Sequence, residues 1–223
     1  MKNKTSTVAQ DYLKVIWSAR EWDAAEPVTT SALAARLGVS ASTASEAVKR
    51  LVERGLVGHA PYGSIELTEE GKRLALAMVR RHRLLETFLV AQLGFGWDEA
   101  HADAEVLEHA ASDRFIAAID RLLGHPRRDP HGDPIPSDDG TIAHPAAEPL
   151  SLIPAPSGAV VERISDADPA MLRYFASVGL LPDAAITVVE RRDFAGVLSV
   201  RIQATGELVE LGDIAAQAVW VST

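Results

Sequence analysis

Apolar side chains recur at helical spacing through residues 5–22, where Val8, Tyr12, Leu13, Val15 and Ile16 fall on one side and predict a first helix. A second helix is expected from Val28-Thr-Thr-Ser, with Thr29 or Thr30 as its N-cap and Gly38 at its end. A third runs from Ser42 to Arg54, turns Val48, Leu51 and Val52 inward and stops at Gly55. Leu56-Val57 then opens a strand, Tyr62-Gly63 makes a tight turn, and Ser64-Ile-Glu-Leu-Thr returns as the partner strand. Helix, short turn, helix and hairpin together predict a winged helix-turn-helix over residues 1–73.

The pattern changes from Leu74 onward. A long helix is expected to about Leu93, a break at Gly94-Phe-Gly-Trp, and a second helix from Asp98 to about Leu123. The apolar excess on these helices, including Phe115, Ile116, Ile119, Leu122 and Leu123, suggests a surface buried against a second subunit, so residues 74–140 read as a helical dimerisation domain. Gly124 to Pro156 is rich in Pro and Gly, and residues 141–157 are expected to form a flexible tether. Residues 158–223 alternate at period two in five short segments, with a helix from Pro169 to Val178, and predict a small β-barrel. The fold class expected is mainly α with a small β domain.

Charge adds a partner. The chain of 223 residues carries a formal net charge of −9. Residues 1–75 nevertheless hold ten Lys/Arg against nine Asp/Glu, so the acidic excess lies downstream. A DNA-binding surface needs local rather than global positive charge. The third helix offers Ser42, Thr43, Ser45, Glu46, Lys49 and Arg50 on its exposed side, preceded by Ser40; small hydroxyls permit close approach to bases, and the two cations can neutralise phosphates. Neither a signal core nor an apolar run of spanning length is present, so no membrane association and a cytoplasmic location are expected.

The two helices after residue 74 also carry a chemical signature. His101, Glu105, Glu108 and His109 lie three and four residues apart on one helix, and His82 and Glu86 form a second pair on its neighbour. Imidazoles and carboxylates inside apolar helices are costly to bury alone, and a divalent cation removes that cost. With no cysteine in the chain, thiolate sites and disulfides are excluded. His125, His131 and His144 fall in the Pro/Gly segment and read as solvent-exposed, and His59 reads as a surface or phosphate-proximal residue of the wing.

These residues resemble the metal-dependent repressors of the diphtheria-toxin-repressor type, including iron-dependent and manganese-transport regulators. The resemblance runs through Ala9-Gln-Asp-Tyr-Leu-Lys-Val-Ile, Leu37-Gly-Val-Ser-Ala-Ser-Thr-Ala-Ser, Leu67-Thr-Glu-Glu-Gly, Arg81-His-Arg-Leu-Leu-Glu, Glu105-x-x-Glu-His and Asp133-Pro-Ile-Pro. It implies a primary site of Asp11, Glu105, Glu108 and His109, and an ancillary site of His82, Glu86 and His101 completed by Asp168. It also makes the C-terminal stretch an SH3-like, FeoA-like domain. Iron-type members present sulfur ligands where this chain has Asp11 and Glu105, and hard oxygen donors suit Mn(II).

The expected function is therefore a Mn2+-activated transcriptional repressor controlling manganese homeostasis. Two ions per subunit are expected, with Fe2+ or Co2+ as possible substitutes. The metal would lock a homodimer onto a palindromic operator in double-stranded DNA, with no small organic substrate and no enzymatic activity. An iron-dependent regulator of the same family is the nearest alternative. A dinuclear metallohydrolase is a more distant one, since a winged helix beside the ligands serves no hydrolase.

Overall fold

The computed structural model describes residues 6–22, 27–59 and 63–223, and divides into two compact units. The first comprises residues 1–81 with 136–141, and the second residues 82–135 with 142–223.

The first unit holds α1 (Thr7–Glu21), α2 (Thr30–Arg36), α3 (Ala41–Glu53), β1 (Val57–His59) and β2 (Ile65–Leu67), followed by the start of α4 (Glu69–Leu93). Each early helix starts where a hydroxyl can cap it: Ser6 accepts from Ala9 N, Thr29 from Ala32 N and Ser40 from Thr43 N. The turn between α2 and α3 passes through Gly38 at φ +63°, a left-handed conformation natural to glycine. Leu13, Ile16, Leu33, Val48, Leu51 and Ile65 form the shared core. β1 and β2 pair antiparallel, with Gly58 opposite Glu66. Helix, turn, helix and hairpin are as the hydrophobic pattern predicts; Tyr62 and the side chain of His59 lie outside the described residues.

In the second unit α4 ends at Leu93, and α5 (Ala100–Ala110) and α6 (Asp113–Leu122) follow. The single helix expected from Asp98 to Leu123 is thus two, because Ser112 leaves the helix and caps the next one, accepting from Phe115 N. Leu84, Leu85, Leu89, Ala100, Ala104, Ile116 and Ile119 pack together.

The Pro/Gly segment differs most from expectation. Residues 129–135 fold back on themselves, with Asp129 N donating to Asp133 O and Ile135 N to Arg127 O, and His131 is fully buried. Backbone bonds dock this loop onto the following sheet: Ile164 N donates to His131 O. Gly132, at φ +92°, comes so close to Glu162 that an added Cβ would stand 2.0 Å from its carbonyl oxygen. Leu150 and Ile153, assigned by sequence to the tether, belong to the sheet's core instead.

That sheet is six-stranded and antiparallel, in the order β3 (Glu148–Pro149), β8 (Val219–Ser222), β4 (Ser157–Ile164), β5 (Ala185–Arg192), β6 (Val197–Ile202), β7 (Leu208–Gly212). Its outer strands β3 and β7 do not pair with each other, so the sheet is open where a barrel was expected. Helices α7 (Pro169–Ser177) and α8 (Asp213–Gln217) accompany it; Leu172, Phe175 and Ala216 pack into its core with Val161, Ile186, Val200 and Val219. Among the described residues no helix is long and apolar enough to cross a membrane.

Candidate metal centre

Helical spacing places His82 and Glu86 one turn apart on α4, and His101, Glu105, Glu108 and His109 along α5. Packing of α4 on α5 brings most of these together. His82 Nδ1 lies 2.6 Å from Glu108 Oε2, while its Nε2 lies 3.0 Å from Glu86 Oε1 and 3.2 Å from His101 Nδ1. His101 Nδ1 is also 3.0 Å from Glu86 Oε1 and 3.0 Å from Asp166 Oδ2. His82, Glu86 and Glu108 are buried, and His101 and Asp166 are partly exposed.

The donor atoms fit a cation. His82, Glu86, His101 and Asp166 each offer one nitrogen or oxygen, and these four atoms lie within 4.8 Å of one another, near enough to share one ion. A neutral His82 that donates Nδ1–H to Glu108 leaves its Nε2 lone pair directed at this cluster, the usual orientation of a ligating histidine. Without a cation the cluster must hold protons. Hydrogen bonds with Asp166 and then Glu86 raise His101 to about 10 against the opposing effect of burial. Burial alone would raise Glu86, but His82 and His101 hold it well below the ordinary carboxylate range. Asp166 is likewise burdened by burial yet falls to about 2 through its bond with His101.

A second group, Glu86, Asp129 and His131, is entirely buried. His131 Nε2 lies 2.8 Å from Trp97 O and its ring stacks on Trp97 at 5.5 Å. Nε2–H therefore donates to that carbonyl, and Nδ1 is left without a hydrogen-bond partner among the described residues. Burial, then the charges of Asp133 and Glu86, push Asp129 well above its ordinary range. An orphaned imidazole nitrogen beside crowded carboxylates is the setting a cation satisfies. Asp129 is held in turn: its Oδ1 accepts from His131 N and Asp133 N, and its Oδ2 lies 3.6 Å from Arg83 Nε.

Sequence reasoning missed Asp129, His131 and Asp166. The expected Asp168 does not face His101: it caps α7, accepting from Ala170 N and Met171 N, and the carboxylate at His101 is Asp166, two residues earlier. The signal for His131 was its pairing with Asp129 around a proline, which composition alone reads as loop. Of the residues expected at the primary site, Glu108 is buried with His109 Nε2 3.6 Å from its Oε1. Glu105 is largely exposed, 3.7 Å from His101 Nε2. Asp11 lies half-buried on α1 in the first unit.

The expected DNA-contact residues sit on α3. Ser42, Thr43, Ser45, Glu46, Lys49 and Arg50 are all exposed, and Ser40 is the N-cap, its Oγ 2.8 Å from both Ser42 Oγ and Thr43 Oγ1.

Known proteins resemble the chain along its length. Residues 4–65 match the iron dependent repressor N-terminal DNA binding domain, residues 68–137 the iron dependent repressor metal binding and dimerisation domain, and residues 148–223 the FeoA domain. The iron-dependent repressor IdeR of Mycobacterium tuberculosis is 32% identical over 200 residues, covering 83% of this chain and 85% of its own. The diphtheria toxin repressor of Corynebacterium efficiens is 30% identical over 231 residues, covering 99% and 97%. Among solved structures, a manganese-dependent transcriptional repressor in complex with manganese is 57% identical with a TM-score of 0.91, covering 96% of this chain and 99% of its own. The manganese regulator SloR is 30% identical with a TM-score of 0.80, covering 96% and 98%. The chain belongs to the iron-dependent repressor family: it is a metal-dependent transcriptional repressor with DNA-binding, metal-binding and dimerisation, and FeoA domains in that order.

Proposed function

We propose that this repressor is activated by Mn(II) and governs manganese homeostasis, acting as a homodimer on a palindromic operator and catalysing no reaction. The observation that carries the reading is the donor set. Every candidate ligand is an imidazole or a carboxylate, and Glu86, His82, His101 and Asp166 bring their donor atoms within 4.8 Å of one another. Hard oxygen donors suit Mn(II) over metals that select sulfur. The likeness to manganese-dependent repressors at 57% identity supports it.

In this reading Glu105, Glu108 and His109 of α5 act with Asp11 of α1 as the primary ligands. Glu86 serves the ancillary site with His82, His101 and Asp166, or with Asp129 and His131. A bound cation would supply positive charge that removes the mutual repulsion of these carboxylates. The chain's own residues do the positioning: Glu108 orients His82, Trp97 O orients His131, and Arg83 restrains Asp129. A 100-fold change in operator affinity requires about 2.7 kcal/mol of coupling between metal and DNA. The test is DNA binding of the full chain titrated anaerobically with Mn(II), Fe(II), Co(II) and Zn(II). Equal affinity in chelator and in Mn(II), or activation by Fe(II) at lower free concentration than Mn(II), contradicts the proposal.

A further inference from the structure

Helix α3 presents one exposed stripe, Ser42, Ser45, Glu46 and Lys49, at spacings of three and four residues. Ser40 caps the helix, and Ala44, Val48 and Leu51 anchor its other side in the core. The stripe therefore has a fixed register, and Glu46 is its one acidic member.

A carboxylate on a DNA-contacting helix is electrostatically costly. Phosphates on both strands repel it, and nothing in nonspecific binding compensates. The compensation available in the major groove is a hydrogen-bond donor on a base edge. Those donors are cytosine N4 and adenine N6, and adenine sets its N7 acceptor beside N6, where it opposes the second carboxylate oxygen. An acceptor-only side chain therefore fits cytosine. Arg50 Nε lies 3.3 Å from Glu46 Oε1, one turn further along the helix. That pair offsets part of the carboxylate charge and limits its rotamers, and it leaves the remaining guanidinium donors for guanine or phosphate.

We propose that Glu46 reads the base sequence, selecting a C·G pair in each half-site through cytosine N4, with Arg50 as the residue that positions its carboxylate. The inference rests on α3 being the DNA-reading helix. A side chain of purely structural or solubilising role has no reason to prefer one base.

The test is selection from a randomised double-stranded DNA library by the Mn(II)-loaded full chain, run in parallel with Glu46→Ala and Glu46→Gln. Both substitutions are on an exposed helix surface and suit a helix interior. Wild type is expected to enrich a half-site with an invariant C·G pair, preferred over other pairs by about 5- to 100-fold. Glu46→Ala loses the preference at that position alone and binds random duplex more tightly, because a repelled charge is gone. Glu46→Gln moves the preference toward adenine, whose N6 and N7 match an amide. If wild type enriches a site and neither variant changes any position in it, the inference is overturned while α3 keeps its DNA role. If wild type enriches no site, the DNA reading beneath it has failed as well.

Discussion

Nδ1 of His82 lies 2.6 Å from Oε2 of Glu108, and this bond joins α4 and α5 through two buried groups that each belong to a different expected ligand set. Glu108 thereby orients the imidazole that faces Glu86 and His101. Partners that orient metal ligands are typically worth 10- to 100-fold in metal affinity. Glu108→Gln should therefore weaken Mn(II) binding by at least about tenfold and take metal-dependent DNA binding with it. Isothermal titration with Mn(II), with circular dichroism to verify folding, checks this; an unchanged isotherm refutes it.

His131 should respond to two separate measurements. Replacing it with Leu removes a buried nitrogen that has no partner among the described residues but also the bond to Trp97 O, so the metal-free protein should lose no more than about 1–3 kcal/mol. The same change removes a candidate ligand and should lower the Mn(II) stoichiometry or affinity. Thermal melts in chelator and equilibrium dialysis against Mn(II) read the two effects. A variant that melts much earlier yet binds metal normally would show that His131 only packs.

Arg163 and Asp133 form a buried ion pair, with Nε 2.9 Å from Oδ1, and the guanidinium lies 4.2 Å above the Trp220 ring. This pair ties the 129–135 loop to β4. Arg163→Met removes the closest cation of a buried carboxylate, leaving Arg83 Nη2 at 3.6 Å, and should cost up to about 3 kcal/mol in denaturant unfolding. Asp133→Leu combined with Arg163→Met should recover part of that loss, because both members of the closest pair are then gone while Arg83 keeps Asp129 at 3.6 Å. Equal stability of the single and double variants would argue against the pair.

The metal-free protein should have opposite pH limits at His101 and Asp166. His101 rises from 6.5 to about 10, so its contribution is complete below pH 6.5 and fades as pH climbs through 10. Asp166 drops from 3.8 to about 2, so its contribution is present above pH 3.8 and fades as pH falls toward 2. Melting temperatures in chelator should decline between pH 7 and 10, and His101→Gln should flatten that decline. An identical slope in the variant would assign the pH dependence elsewhere.

Phe115 and Leu122 on α6, with Val106 on α5, expose large apolar surfaces. In a metal-binding and dimerisation domain this is where a second copy is expected to bury them. Phe115→Arg should raise the dimer dissociation constant by tenfold or more, read by sedimentation velocity across a concentration series. A variant that sediments like wild type at every concentration would place the interface on another face.

Much of the architecture was legible from the chain alone because its causes are local. Hydroxyl caps at Ser6, Thr29 and Ser40 start the first three helices. Spacing of three and four residues commits His82 with Glu86, and His101 with Glu105, Glu108 and His109, to single helix faces whatever they pack against. Tertiary structure decided which loop residues join them. Asp166 rather than Asp168 meets His101 because Asp168 is spent capping α7 and because the sheet docks where it does. His131 is buried because Gly132 and Ile164 seat its loop against β4, and no periodicity in a Pro/Gly-rich stretch records a contact made thirty residues away. Local repeats encode faces; the meeting of faces and loops depends on long-range packing.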